Sequence, residues 1–108
     1  GFDESLTQKT TAAPIQLEAP GTTGLTNTAG TIAMARTQVL NSATSQFFVN
    51  VVDNTFLDTL GGGYAVFGAL ISGQATLEAI RQLETNARSG LDDVPVNLPV
   101  IQWAVQLR

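Results

Sequence analysis

The sequence predicts a mainly β, antiparallel domain with a single helix. Several short segments alternate apolar with polar or small residues, as strands do, and only residues 74–83 space apolar residues by three, as a helix does. Loops rather than helices connect these segments, which excludes a βαβ fold. The 108 residues are 44% hydrophobic and 13% charged, which indicates one folded domain and not a disordered tail or a charged coiled coil.

Three predicted strands lie in the first half of the chain. A short one covers 15–18, between two prolines and clusters of turn-forming residues. A second covers 31–36, where Ile32 and Met34 alternate with smaller residues. The third, at 46–52, has the strongest strand signal because it is rich in aromatic and β-branched residues.

A helical turn, a glycine turn and a fourth strand follow. Residues 56–58 are compatible with one helical turn, and the three consecutive glycines at 61–63 exclude regular structure and predict a flexible turn. The apolar run at 64–71 predicts a strand that is buried on both faces near Val66 and Phe67.

The last third of the chain is predicted to contain the helix, a loop and a final strand. The helix covers 74–83 and presents one apolar stripe. Glycine and aspartate residues predict a loop at 86–93. At 101–107 apolar residues occupy every second position, which predicts a strand with one solvated face and Trp103 in the core.

Composition excludes several classes of function. A net charge of −4 with five Lys and Arg residues argues against nucleic-acid binding, which needs a basic face. The absence of cysteine and histidine removes disulfides, Cys/His zinc sites, thiol nucleophiles and His-based triads. No apolar stretch is long enough to span a membrane. The missing cysteine and scarce lysine favour a periplasmic or secreted location slightly over a cytoplasmic one, and the compartment stays open.

The remaining polar motifs indicate neither a metal site nor a cofactor site. The glycines at 61–63 lack the strand, helix and lysine of a phosphate loop. Asp92 and Asp93 lack the alternating oxygen ligands of a calcium loop, and the serines have no base to activate them. What remains is a binding surface, or a catalyst that acts by shape and hydrogen bonding.

Four sequence blocks carry a family resemblance. They are Gly30–Thr37, Asn41–Asn50, Asp53–Asp58 and Gly63–Gly68, and the Ser-Gln-Phe-Phe core at 45–48 is highly specific. In this order and spacing they strongly resemble cyclophilins, the peptidyl-prolyl cis-trans isomerases, of the bacterial type. The resemblance covers essentially the whole chain.

The resemblance implies a cyclophilin-like antiparallel β-barrel with a capping helix and a substrate groove on its outer face. The implied activity is isomerisation of X-Pro bonds in protein folding, without a cofactor, on proline-containing peptides or unfolded proteins. The substrate-binding residues that it implies are Met34, Ala35, Arg36, Gln46, Phe48, Phe56, Leu57 and Tyr64.

The resemblance also assigns roles within this set. The strand at 34–36 presents its backbone to the peptide, so little effect is expected from an arginine at 36 in place of the asparagine common in eukaryotic members. Gln46 hydrogen-bonds the substrate near the proline, and Phe48 walls the proline pocket together with Met34, Leu57 and Tyr64. Phe56 stands where many eukaryotic members carry a tryptophan that touches ciclosporin, so weak ciclosporin binding is expected.

Each assignment has a simpler structural alternative. Phe47 and Phe48 point to opposite faces of a strand, so one belongs to the core while the other can line a pocket, and the resemblance places Phe48 outward. Without it, both would be core residues. Met34 is equally compatible with core packing, and Tyr64 with the start of a strand.

Part of the family's domain is expected to be missing. Cyclophilins carry a further N-terminal third with a Phe-His-Arg motif, whose arginine is the principal catalytic residue, and a Pro-Phe-Met-x-Gln motif. The sequence has neither, and none of its arginines lies in such a motif (Arg36, Arg81, Arg88 and Arg108).

Residues 1–108 are therefore expected to be the C-terminal portion of a single cyclophilin-like domain, with an incomplete barrel and no catalytic residue of their own. The remainder would be a second chain, a nicked N-terminal piece or a swapped copy. The alternatives are a proline-peptide-binding or chaperone-like module with little or no isomerase activity, and a truncated barrel used as an assembly element.

Overall fold

A computed structural model of the chain describes residues 1–107. The elements are α1 (Pro20–Thr23), β1 (Thr31–Met34), β2 (Phe47–Val49), two short 3₁₀ helices (Thr55–Asp58 and Leu60–Gly62), β3 (Val66–Ala69), α2 (Gln74–Arg81), β4 (Thr85–Arg88) and β5 (Leu91–Pro95). The mainly β class is confirmed. Over residues 1–107 the strands do not close into a barrel, and no helix there has the length and apolarity to cross a membrane.

The main sheet is antiparallel, with β1 between β2 and β3. Ala33 sits at its centre, opposite Phe48 on one side and Val66 on the other, and is fully buried. A small side chain is needed there because two strands and their side chains converge on it. A register irregularity between Ile32 and Ala33 bends the pairing with β3.

The predicted strands of the first half are observed in shortened form. The strands predicted at 31–36 and 46–52 are confirmed over Thr31–Met34 and Phe47–Val49. The strand predicted at 15–18 is wrong: only an isolated bridge joins Ile15 to Ala43 there. The Leu17 N–H donates to a side chain, the Asn41 amide oxygen, at 3.0 Å and not to a strand, so no ladder extends past the bridge.

Two aromatic side chains are less buried than predicted. Val66 is buried, but its neighbour Phe67 is 52% exposed, so β3 is not covered on both faces. Phe47, expected in the core, is 46% exposed. Since Phe47 and Phe48 leave β2 on opposite faces, the Phe47 face of the sheet is the one that the described residues leave largely uncovered.

The helix at 74–83 is confirmed as α2, while the loop predicted at 86–93 is wrong. In its place β4 and β5 form an antiparallel hairpin that buries Val94. Ser89 and Gly90 both have positive φ, 54° and 75°, which is the twist that a tight two-residue hairpin turn requires. The sequence of this hairpin resembles a loop because the residues that flank its turn have weak strand propensity.

The final strand and the core position of Trp103 are also wrong. Residues 101–107 form no strand, and Trp103 is 75% exposed. A strand needs a neighbour to receive its backbone hydrogen bonds, and no other described segment pairs with this one. Alternation predicts which face a strand buries and does not provide the partner.

The apolar core is small, and two buried asparagines extend it. The buried apolar residues are Ala33, Ala43, Ala65, Val66 and Val94. Asn27 and Asn50 are both fully buried. The Asn27 backbone N–H and Nδ2 donate to Asp58 Oδ1, both at 2.8 Å, and Nδ2 also donates to the Tyr64 carbonyl at 3.1 Å.

Asn50 connects this cluster to the sheet. Its Nδ2 donates to Asn27 Oδ1 at 3.1 Å and to Thr31 Oγ1 at 2.9 Å, while its Oδ1 accepts from Asn54 Nδ2 at 2.9 Å. These bonds satisfy groups that would be costly to bury alone. We call Asn27, Thr31, Asn50, Asn54 and Asp58 together the asparagine network. It ties β1, the end of β2 and the first 3₁₀ helix into one unit.

Candidate functional site

Arg36 follows β1 and reaches across to the glycine turn. Its Nε donates to the Gly63 carbonyl at 3.0 Å, and its Nη2 donates to the carbonyls of Gly61 at 2.7 Å and Gly63 at 2.9 Å. Its Nη1 donates to the Thr37 carbonyl at 2.9 Å. The guanidinium carbon also lies 4.6 Å from the centre of the Tyr64 ring, a cation–π arrangement.

Tyr64 connects Arg36 to Phe48, one of the two aromatic residues of β2. The rings of Tyr64 and Phe48 meet edge to face, with centres 6.0 Å apart. The Tyr64 N–H donates to the Leu57 carbonyl at 3.0 Å, and its own carbonyl accepts from the buried Asn27. Three of the predicted pocket residues, Phe48, Leu57 and Tyr64, are thus joined by direct contacts.

The glycine turn at 61–63 is built on positive φ angles of 58°, 95° and 99°. At Gly63 a Cβ would lie 2.7 Å from the Asp58 carbonyl oxygen and 2.9 Å from Pro20 Cδ. Only glycine tolerates this combination of φ and close approach. The turn overlaps the second 3₁₀ helix, Leu60–Gly62, so the expectation that these glycines exclude regular structure is wrong. The turn carbonyls of Gly61 and Gly63 accept from Arg36, which accounts for the glycines.

A cleft of about 290 Å³ opens beside the end of β1. Ala35, Arg36 and Gln46 line it, three of the residues predicted to bind substrate. The Ala35 N–H donates to the Gln46 carbonyl at 2.9 Å, which continues the β1–β2 pairing by one bond and brings these residues side by side. The rest of the lining is polar: Gln8, Thr11, Thr37, Ser42 and Thr44.

A second cleft, of about 350 Å³, adjoins the first. Arg36 and Thr37 line both clefts, and the second is completed by Gln38, Leu60, Gly61 and Tyr64. The Arg36 side chain therefore forms the border between a polar cleft that contains Gln46 and a mixed cleft that contains the Tyr64 ring.

Two predicted site residues lie apart from this group. Met34 pairs with Phe47 in the register of the sheet, and the adjacent pair is Ala33 with Phe48. Because successive pairs face opposite sides of a sheet, Met34 is not on the Phe48 side. Phe56 lies on the first 3₁₀ helix and is 62% exposed.

The comparison with known families agrees with the sequence blocks. Residues 2–105 match the family described as cyclophilin type peptidyl-prolyl cis-trans isomerase/CLD. The chain belongs to the cyclophilin family. The resemblance drawn from the sequence is thereby confirmed.

Bacterial relatives match this cyclophilin chain over nearly all of its residues. It is 48% identical to a peptidyl-prolyl cis-trans isomerase of Streptomyces antibioticus, over 96% of the chain and 64% of the relative. It is 46% identical to one of Acinetobacter baylyi, over 100% of the chain and 57% of the relative. Against isomerase B of Escherichia coli the identity is 45%, over 94% and 64%. The chain thus spans less than two thirds of each of these relatives.

Two features of this candidate site were not predictable from the sequence. One is the Arg36 side chain, whose carbonyl partners on the glycine turn lie 25 and 27 residues away. The other is the asparagine network, in which Asn27 and Asp58 are 31 residues apart. No local pattern predicts such contacts. The only available signal was three consecutive glycines, which require a special backbone.

Proposed function

We propose that the protein carrying this chain accelerates the cis-trans isomerisation of X-Pro peptide bonds in protein folding. The observation that carries the proposal is the convergence of Ala35, Arg36 and Gln46 on one cleft of a cyclophilin chain. The Phe48–Tyr64 aromatic pair adjoins that cleft through Arg36. The substrates would be proline-containing peptides or unfolded proteins.

The reaction needs neither a nucleophile nor a proton donor from the enzyme. The barrier of about 18–20 kcal/mol arises from the partial double bond of the amide. An isomerase lowers it by binding the twisted amide better than either planar form. We assign Gln46 to hydrogen-bond the peptide next to the proline, the backbone at 34–36 to align it, and Phe48, Leu57 and Tyr64 to contact the proline ring.

A hydrogen-bond donor to the prolyl nitrogen would favour the twisted amide further. Among the arginines that the structure describes, Arg36 donates to backbone carbonyls, Arg81 pairs with Glu78, and Arg88 donates to the Pro95 carbonyl. We propose that the donor comes from polypeptide outside these 108 residues. The lengths of the relatives, which exceed the matched region, support this.

The same polypeptide would cover the exposed apolar surface of the chain. Phe47, Ile101, Trp103 and Leu107 are 46%, 70%, 75% and 88% exposed, although large apolar side chains are most often buried in folded domains. We propose a second chain, a nicked piece or a swapped copy as the covering segment. The solution mass of the purified protein distinguishes a swapped copy from the other two sources, because only a swapped copy gives a multiple of one chain.

Exchange NMR on a short proline peptide tests the proposal. The 108-residue chain is measured alone and then with the part of the Streptomyces antibioticus relative that it does not match. We expect the exchange rate to rise on the order of 100–1,000-fold with the added segment, by analogy with the removal of one preorganised donor. No acceleration in either sample contradicts the proposal.

A matched pair of glutamine variants tests the assigned cleft. Gln46→Leu removes the polar group from the cleft, and Gln102→Leu makes the same change at an exposed position far along the chain. We expect Gln46→Leu to weaken peptide binding and slow exchange by about ten-fold, since one hydrogen-bond partner of the peptide is lost, and Gln102→Leu to change neither. Equal effects would place the site elsewhere.

The alternative function is proline-peptide binding with little or no isomerase activity. It is favoured by the absence of a Phe-His-Arg motif from the sequence. Peptide binding without exchange, in both the chain alone and the combined sample, supports this alternative and excludes the isomerase.

We also propose that ciclosporin binds weakly. Phe56 is exposed, and the family resemblance aligns it with the tryptophan that many eukaryotic members carry. A phenylalanine offers less apolar area than tryptophan and no indole N–H. Phe56→Trp is expected to raise ciclosporin affinity in a fluorescence titration, and tight binding by the unchanged protein contradicts the proposal.

A further inference from the structure

The Arg36 side chain makes more contacts than a residue that serves only through its backbone would need. Its donors are spent on carbonyls of the glycine turn and of Thr37, and its flat face covers the Tyr64 ring. The planar guanidinium fork can do both at once, because its N–H groups lie in the plane while its face remains free for the ring.

Tyr64 and the glycine turn depend on each other through this side chain. The turn carbonyls are presented by residues with positive φ, and Tyr64 follows the last of them directly. The Tyr64 ring also meets the Phe48 ring edge to face, with centres 6.0 Å apart. Arg36 therefore braces the turn and the ring from the end of β1, between the two clefts.

We propose that Arg36 is a positioning residue that holds the Tyr64 ring and the Gly61–Gly63 turn in place at the border of the two clefts. Its effect on peptide affinity is exerted through Tyr64, and that part rests on the proposed function. This goes beyond the expectation of little effect from the residue type at position 36.

Lysine cannot replace this arrangement. An ammonium group is a compact point charge. The planar guanidinium of Arg36 donates to two glycine carbonyls and also lies over an aromatic ring. A lysine at this position keeps the positive charge and loses the planar, forked arrangement of N–H donors. Charge alone and the geometry of the guanidinium can thus be separated by substitution.

NMR on the protein carrying these residues, without peptide, tests the positioning directly. Tyr64 is the single tyrosine, so its ring signals are unambiguous, and the Gly63 N–H, which donates to the Leu60 carbonyl, reports on the turn. Arg36→Met is expected to shift the Tyr64 ring signals and to speed hydrogen exchange at Gly63. Arg36→Lys, which keeps the charge, is expected to do the same to a smaller extent.

The matched control is Arg81→Met, on the exposed face of α2, which is expected to leave both signals unchanged. Unchanged Tyr64 and Gly63 signals in folded Arg36→Met overturn the proposal. Should Arg36→Met fail to fold, Arg36→Lys decides by the same two signals.

A double-mutant cycle on the affinity for a proline peptide tests the route through Tyr64. Arg36→Met is expected to weaken binding by roughly three- to ten-fold, in line with a lost cation–π contact, and to have no further effect in a Tyr64→Leu background. Equal losses in both backgrounds overturn that route. If the unchanged protein binds no proline peptide, the proposed function fails, and the ring and amide signals still decide the positioning role.

Discussion

The asparagine network and the C-terminal segment of residues 100–107 differ in burial, and the difference is the reverse of what their composition predicts. In the network, the polar residues Asn27 and Asn50 are fully buried. In the C-terminal segment, Ile101, Trp103 and Leu107 are mostly exposed. Polarity would have assigned the opposite burial to each region.

The difference lies in the available partners. Every polar group that the network buries is matched with a donor or acceptor, so its burial costs little. The C-terminal segment has strong apolar character but pairs with no strand among the described residues, and its large apolar side chains stay exposed. Burial therefore depends on what the rest of the chain offers, and only then on the residue itself.

Asp58→Ala should break the stable side of this contrast and have the largest effect. Asp58 Oδ1 accepts two hydrogen bonds at 2.8 Å from Asn27, and its loss leaves a buried amide short of partners. We expect the free energy of unfolding to fall by about 3 kcal/mol, as measured by urea denaturation. The control Asp92→Ala, at an exposed position, should stay within about 0.5 kcal/mol. Similar losses of stability in both variants would contradict a stabilising role for the asparagine network.

Gly63→Ala should destabilise the turn that the network helps to hold. The residue has a φ of 99°, and an added Cβ would lie 2.7 Å from the Asp58 carbonyl oxygen. We expect a loss of about 2 kcal/mol in the free energy of unfolding, since both strain and a clash are introduced.

Gly21→Ala is the matched control for the turn. Its Cβ would meet no atom within 4 Å, and alanine is the better helix former at this position in α1. It should therefore leave stability unchanged or raise it slightly. A Gly63→Ala variant as stable as Gly21→Ala would show that the turn relaxes without cost.

Trp103 probes the exposed side of the contrast. It is the single tryptophan and is 75% exposed, so the chain alone should fluoresce as an indole in water and be readily quenched by acrylamide. Trp103→Ser in the chain alone should change the free energy of unfolding by less than about 0.5 kcal/mol. Blue-shifted emission from the chain alone would contradict the exposed placement. A blue shift only on adding the covering polypeptide would support the proposed completion of the domain.

Glu78 should give the smallest effect, and one that depends on pH. A hydrogen bond from the Gln82 side chain, and then one from Arg81, lowers the pKa of Glu78. Because the folded pKa is below the unfolded one, the contribution to stability is present above the unfolded pKa and is lost as the pH falls through the folded value.

Urea midpoints at neutral and acidic pH measure this contribution. Glu78→Gln should reduce the stability lost on acidification by a small amount, because the group is exposed on α2. Gln82→Ala, which removes the leading donor, should reproduce most of that change. A Gln82→Ala chain with unaltered acid sensitivity would contradict the assigned cause.

Much of the local structure was predictable from the sequence alone. Short-range spacing of residue types predicts the strands at the centre of the main sheet and the helix at 74–81, and it also defines the family-specific blocks. These features depend on which face a side chain occupies, and that is determined by a period of two or of 3.6 residues. The expectation that Ala35, Arg36 and Gln46 belong to one site came from the family resemblance, because no local pattern in their sequence blocks indicates a site.

Only the tertiary structure decided the bonds of the Arg36 side chain, the burial of Asn27 and Asn50, the hairpin of β4 and β5 and the exposure of Trp103. In each case the outcome depends on a partner distant in sequence, or on the lack of one among the described residues. A hydrogen bond needs a second group, and a buried apolar side chain needs neighbours that cover it. The chemistry of a residue therefore determines which partner it needs, and the folded chain determines whether that partner is present.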